Sequence, residues 1–365
     1  MSKSFSKISW LLLITSVGFF SGLSEDVLNA EDASEPSPVQ DDFLKEQTSQ
    51  LITELVKSQN KLRSGIYFVE GYYRQEDAQK DRLAEGEMIA SAYFDLRNGK
   101  TRFQQRRPNG MTSLERSDPE TPPFYFSSRF TNTQGLHGVS GTVEPRLNTA
   151  HLVPPRPDQP PYEKMFDPRA LSFANQHHQL FSETKFKDEI KRFHLITPSQ
   201  ITTSPEGYII ITYDKESIAI ASLQGGKEER RKVPYFREIV LDPNQGYNIL
   251  SRTEKFYFFI PQSSVPYYLS SEYSQEIRWS RREEVFVPQR IIVSGKKYLG
   301  NSKLDDAIDY DVEFDWISVN LSFPEAKLKH KDYINFDFSA EEIRHSLKEQ
   351  GFPYLSESGQ FMQNQ

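Results

Sequence analysis

The sequence predicts a mainly β protein with some α-helix (α+β), built on a strongly curved antiparallel sheet or half-open barrel with about three covering helices. The first observation is an aromatic content of 13%, with 26 Phe and 18 Tyr, because these side chains fit the half-buried surface of a strand. The second is the alternation of apolar and polar residues in many short segments, which is typical of strands with one buried face. The third is that helical spacing of apolar residues is confined to a few segments.

The first 40 residues are predicted to lie outside the folded domain. Residues 1–24 have the pattern of a signal peptide, with cleavage after Ser24 or as late as Ala30. The apolar run at residues 10–20 is too short to cross a bilayer, and residues 25–40 have the composition of a disordered spacer. These features predict a periplasmic or secreted protein, with no membrane span in the mature chain.

The folded domain is predicted to cover residues 41–350 and to begin with a helix. In residues 41–62, apolar side chains recur at three- and four-residue steps. Further helices are predicted at 183–193 and at 340–350, the last with Ser339 as its N-cap. Strands are predicted at 65–74, 85–96, 100–106, 124–131, 208–214, 217–223, 235–241, 246–260, 272–282, 285–293 and 307–323, with turns at Asn98-Gly99, Gly225-Gly226, Asp242-Pro243-Asn244 and Gly295.

Residues 108–168 form a proline-rich insertion in this domain. Proline donates no ladder hydrogen bond, so this segment is not expected in the centre of a sheet. It is either a long excursion over the sheet or a linker, and its extended backbone is of a kind that protein partners bind. Residues 351–365 are predicted to be a C-terminal tail.

Composition and motifs exclude several classes of function. A net charge of −7 argues against nucleic-acid binding, which needs a basic surface. The absence of Cys excludes disulfides and thiolate metal sites. His177 and His178 have no third ligand at a recognisable spacing. No nucleophile elbow, phosphate-binding loop or dinucleotide fingerprint is present, so we assign no catalytic residue, no metal and no cofactor.

The segment 307–316 has the sharpest local pattern, because its acids and its apolar residues occupy opposite strand faces. The acids are Asp309, Asp311, Glu313 and Asp315. They could bind Ca²⁺ or act as the acid pair of a glycosidase. However, alternate residues on a strand lie about 6.6–7 Å apart, which favours a solvated face paired with basic residues. The basic residues expected across the sheet are Arg278, Arg281 and Arg282.

The order of elements, together with residues 237–243 (Arg-Glu-Ile-Val-Leu-Asp-Pro) and 287–291 (Val-Pro-Gln-Arg-Ile), resembles bacterial periplasmic lipoprotein carriers of the LolA/LolB-like group. In that group a curved antiparallel sheet forms an incomplete barrel around an apolar cavity covered by helices. Residues 166–171 (Phe-Asp-Pro-Arg-Ala-Leu) and 335–339 (Asn-Phe-Asp-Phe-Ser) resemble exported, uncharacterised carrier-like proteins of planctomycete bacteria. This chain is longer than the carriers, and none of their ligand-contacting residues maps onto a position here.

Three functions follow from these observations. The first is an exported carrier or binding protein for a lipid, an acyl chain or another hydrophobic ligand. The second is a non-enzymatic structural or protein-interaction module of the cell envelope, with residues 108–168 as the partner-binding segment. The third and least favoured is a polysaccharide hydrolase that uses acids of 305–315 or Glu70 as acid and base. Glu70 is a candidate because it shares a strand face with Ile66, Phe68 and Tyr72, where burial would raise its pKa.

For the carrier, apolar side chains at period two should line the ligand site, with the helix 41–62 as its lid. The predicted lining residues are Phe68, Met88, Phe94, Ile277 and Trp279. Met and aromatic side chains suit such a site because they adapt to varied apolar shapes. The alternative is that the same residues fill a packed core.

Overall fold

The structure, a computed structural model, describes residues 38–79, 82–97, 100–108, 124–132, 135–143, 152–153, 169, 190–191, 196–222, 228–261, 263–300, 303–321 and 339–363. The predicted signal peptide and residues 25–37 of the predicted spacer therefore lie outside the described residues, as do His177, His178 and the turn at Gly225-Gly226. The last three residues of the predicted spacer, 38–40, are helical instead, because they form the first turn of the first helix.

Two α-helices, rather than about three, lie in the described part of the chain: α1 (Pro38–Gln59) and α2 (Ala340–Glu349). Helix α1 begins three residues before the predicted start, because proline is tolerated in the first turn of a helix. Helix α2 begins where predicted, and the Ser339 Oγ accepts a hydrogen bond from the backbone N–H of Glu342. Most of the predicted helix 183–193 is outside the described residues, although residues 190–191 are helical.

The strands are β1 (Ser64–Asp77), β2 (Arg82–Asp95), β3 (Lys100–Pro108), β4 (Phe124–Asn132), β5 (Gly135–Val143), β6 (Leu152–Val153), β7 (Gln200–Thr203), β8 (Ile209–Ser222), β9 (Glu228–Asp242), β10 (Asn248–Phe258), β11 (Tyr268–Arg282), β12 (Val285–Tyr298), β13 (Leu304–Val319), β14 (Tyr354–Leu355) and β15 (Phe361–Met362). Gly295, predicted to be a turn, lies within β12, so that prediction is wrong. The turn at Asp242-Pro243-Asn244 is confirmed as a 3-10 helix, Pro243–Gln245, capped by the side chain of Asp242.

Thirteen strands form one antiparallel sheet in the order β6-β5-β4-β3-β2-β1-β13-β12-β11-β10-β9-β8-β7, and β14 pairs with β15 in a separate small sheet. The sheet is open, because β6 and β7 form its two edges. Within this sheet consecutive strands pair with each other, except β6 and β7 at the two edges, and β1 pairs with β13 at the centre. The mainly β, antiparallel prediction is therefore confirmed.

The proline-rich segment contributes to the sheet rather than only interrupting it. Strand β4 was predicted, whereas β5 and β6 were not, and the three strands form one end of the sheet beyond β3. This end position agrees with the exclusion of proline from central strands.

The two helices lie on opposite faces of the sheet, which we name the α1 face and the α2 face. On the α1 face, Leu51, Ile52 and Leu55 of α1 pack against buried side chains of β8, β9 and β10. On the α2 face, Ile343 and Leu347 of α2 pack with Ile66, Phe68, Tyr93 and Ile317. Neighbouring residues of one strand alternate between the faces, so each strand contributes to both.

Candidate functional site

The apolar side chains of the α1 face form two separate clusters rather than one. The larger cluster draws on β2, β1, β13, β12 and β11, which are adjacent in the sheet. The smaller one draws on β10, β9 and β8 and includes the three α1 residues. From outside the sheet, Leu62 and Leu355 are the described residues that join the larger cluster. Helix α1 itself packs on the smaller cluster and also contacts β12.

A band of polar side chains separates the two clusters. The band follows from the pairing of strands β8 to β12, in which residues on adjacent strands lie directly opposite each other and form two rows across the sheet. The first row contains Ile211, Ile239, Arg252, Gln275 and Val293, and the second contains Tyr213, Arg237, Glu254, Tyr273 and Gly295. Cross-strand partners point to the same face, so Arg237, Arg252 and Glu254 all belong to the α1 face. We name these three residues the charged triad.

The charged triad is almost completely buried. The Glu254 side chain is 0% exposed, that of Arg252 is 6% exposed and that of Arg237 is 10% exposed. Arg252 donates to Glu254 Oε1 from Nε at 3.0 Å and from Nη2 at 2.8 Å. Arg237 donates to the same oxygen from Nε. Burial of three charges is costly unless they are paired, and here one carboxylate serves two guanidiniums.

Aromatic rings surround the triad. The Arg237 guanidinium lies 5.7 Å from the ring centroid of Tyr213 and 5.8 Å from that of Tyr235, and the Arg252 guanidinium lies 5.9 Å from that of Tyr273. Burial raises the pKa of Tyr213 to about 12, against the lowering influence of Arg237 and Arg252. Burial also raises the pKa of Tyr235. Both phenols are therefore neutral and able to donate a proton in a hydrogen bond at physiological pH.

The structure places four of the five predicted lining residues together and one apart. Met88, Phe94 and Ile277 belong to the larger α1-face cluster, and Trp279 packs against it while donating from Nε1 to the carbonyl oxygen of Ile249 at 2.9 Å. Phe68 lies on the α2 face. Whether any of the five contacts a ligand stays a prediction.

The α2 face carries a pocket of about 350 Å³. Its lining residues are Phe68, Glu70, Glu87, Ile89, Asp315, Ser339 and Ala340. The pocket brings together Glu70 and Asp315, two of the acids that the hydrolase hypothesis named. However, Glu70 is exposed, so it lacks the apolar surroundings on which its role as a general acid depended.

The acidic face of β13 is paired with arginines, as expected, but with different ones. Asp311 accepts hydrogen bonds at 2.7 and 2.5 Å from Arg290, and Asp315 accepts one at 2.5 Å from Arg344. The hydrogen bond from Arg290 lowers the pKa of Asp311, and the charges of Arg290 and Arg278 lower it further. Among the described residues no group of three or more His, Asp or Glu is arranged to hold a metal ion. Asp311 and Asp315 are therefore partners of arginines in ion pairs.

The charged triad was not predicted from the sequence, although an arginine at an inward strand position indicated it. Arg237 occupies the inward position of an alternating strand whose other inward residues include Val233, Ile239 and Leu241. A charge at an inward position is unusual. Its carboxylate partner lies on the next strand, and only the register of β9 with β10 identifies that partner as Glu254.

No protein-family model matches the chain, and no curated protein matches it either. Among solved structures, the chain is similar to the crystal structure of a DUF1329 family protein from Desulfovibrio piger, at 8% identity and a TM-score of 0.36, over 78% of this chain and 98% of that one. A TM-score this low indicates neither a fold family nor a function. None of these findings supports the predicted resemblance to planctomycete proteins. No helix of the described residues is long and apolar enough to span a membrane.

Proposed function

We propose that this protein is an exported carrier or binding protein for a hydrophobic molecule, a lipid or an acyl chain, which it holds on the α1 face. The observation that carries the proposal is the division of the α1-face apolar residues into two clusters. A domain usually has one contiguous core with smaller satellite clusters, whereas here a band of buried charged side chains lies between the two clusters. A divided apolar face, with a helix over one part and a polar band between the parts, suits an amphiphilic ligand better than a simple core does.

In this proposal the open sheet curves around the α1 side, and α1 acts as a lid over β8 to β10. A long apolar ligand would lie across the strands of the larger cluster. Its burial there would contribute about 25 cal/mol for each Å² removed from water. Ligand sites of this kind are mostly apolar, with a few polar groups that fix the orientation of the ligand.

Native mass spectrometry tests the proposal directly. The chain would be expressed with its own leader in a Gram-negative host and purified from the periplasm without detergent. We expect the mature mass, without residues 1–24, together with one bound lipid or fatty acid that denaturation releases. Protein that is consistently empty, and stays empty after incubation with lipid vesicles and dodecanoate, would contradict the proposal.

A further inference from the structure

We propose that Arg237 and Tyr213 form a subsite for the monoanionic head group of the ligand, a carboxylate or a phosphodiester. This inference rests on the proposed function and specifies the chemistry of the ligand that the α1 face holds. It follows from three observations on the α1 face. They are the charge balance of the triad, the buried hydroxyl of Tyr213 and the exposure of the Arg237 side chain, which is the largest of the triad.

The charge balance leaves one positive charge in the band. Arg252 donates two hydrogen bonds to Glu254, which is the arrangement of a neutral ion pair. Arg237 shares the same carboxylate oxygen through Nε alone. Among these three residues, two guanidiniums and one carboxylate therefore carry a net charge of +1. A single anion next to Arg237 would complete the neutralisation.

Tyr213 supplies a hydrogen-bond donor that the described residues do not use. Its side chain is 0% exposed, and no described residue forms a hydrogen bond with its hydroxyl. A buried hydroxyl without a partner costs free energy, so a partner from a ligand would be favourable. The ring of Tyr213 lies against Arg237, which places the hydroxyl and the guanidinium in the same site.

Arg237 is also the least buried member of the triad. Beyond the bond from Nε, no hydrogen bond joins its guanidinium to another described residue. The terminal nitrogens form a fork that fits a carboxylate or phosphate. Glu254 would hold this fork in position while the two nitrogens contact the head group.

The test compares ligands that share a chain length and differ in the head group. The dissociation constants of dodecanoate, dodecanol and dodecanoyl lysophosphatidylglycerol, each with a single 12-carbon chain, would be measured by isothermal titration calorimetry on the full chain. We expect dodecanoate to bind about 10- to 100-fold more tightly than dodecanol, the gain typical of hydrogen bonds to a charged group. Tighter binding of dodecanoyl lysophosphatidylglycerol than of dodecanoate would identify a phosphodiester, and the reverse a carboxylate.

Two variants connect this preference to the proposed residues. Arg237→Met leaves the neutral pair of Arg252 and Glu254, and Tyr213→Phe removes only a hydroxyl, so both should fold. Each should weaken dodecanoate binding, by about 10-fold or more for Arg237→Met, and leave dodecanol binding unchanged. Arg278→Met, which removes an exposed charge from the same sheet, is the matched control. It should change neither the affinity for dodecanoate nor the affinity for dodecanol.

The outcomes separate this inference from the proposed function. Equal binding of dodecanoate and dodecanol would overturn the anion subsite and leave the hydrophobic-ligand function standing. The same holds if the preference for dodecanoate survives in both Arg237→Met and Tyr213→Phe. Absence of binding for all three ligands would overturn both proposals.

Discussion

Glu254→Gln should lower the free energy of unfolding by about 3–5 kcal/mol, the usual cost of removing one partner of a buried ion pair. Glutamine has nearly the same shape as glutamate, so the loss would come from charge rather than from packing. Without the carboxylate, the positive charges of Arg237 and Arg252 would repel each other. Water would screen this repulsion poorly, because the Glu254 side chain between them is 0% exposed. Urea denaturation monitored by tryptophan fluorescence measures the change.

Glu276→Gln is the matched control, because Glu276 is an exposed residue of β11 and exposed substitutions usually change stability by less than about 0.5 kcal/mol. Dodecanoate should restore part of the stability of the Glu254→Gln protein, since a ligand that binds only the folded state stabilises it. A loss of less than 1 kcal/mol for Glu254→Gln would mean that the charged triad contributes little to the fold.

Met88→Ala should cost about 2–5 kcal/mol, the range for removing a long side chain from a packed core. The Met88 side chain is 1% exposed in the larger α1-face cluster, which also includes Ala90 and Phe94 of the same strand. The measurement is the free energy of unfolding in ligand-free protein, followed by the affinity for dodecanoate. Met362→Ala, at a residue that is 41% exposed, controls for the loss of a methionine.

The same experiment separates a core from a cavity wall at this position. A loss below 1 kcal/mol combined with weaker dodecanoate binding would place Met88 in the wall of a cavity. A large loss with dodecanoate binding intact would remove Met88 from the predicted ligand site and leave it as core.

Local patterns explain why much of the sheet could be predicted. In β13 the apolar residues Ile308, Tyr310 and Val312 alternate with acids, and the structure buries the apolar set and leaves Asp309 and Asp311 on the other face. Ser339 marks the start of α2 because its side chain binds a backbone N–H within the first turn. These features depend on residues close together in the sequence.

Features that depend on distant residues were not predictable. The central pairing of β1 with β13 joins Tyr67 to Trp316, and no local signal specifies it. This pairing determines which side chains of β1 lie on the α1 face and which lie on the α2 face. For this reason Phe68, apolar and at an alternating position, lies on the α2 face and not beside Met88. The two strands predicted at 208–214 and 217–223 form one strand, β8, because β9 pairs with its whole length.

Photo-cross-linking tests the central claim, which is that the α1 face holds the ligand. Purified protein would be incubated with a diazirine derivative of dodecanoic acid, irradiated and digested, and the labelled residues would be assigned by tandem mass spectrometry. Because adjacent residues alternate between faces, the label itself reports the face. We predict labels on α1-face residues such as Val69, Met88 and Tyr273, reduced by excess dodecanoate. Labels confined to the α2-face pocket, at Phe68 and Ile89, would contradict the account.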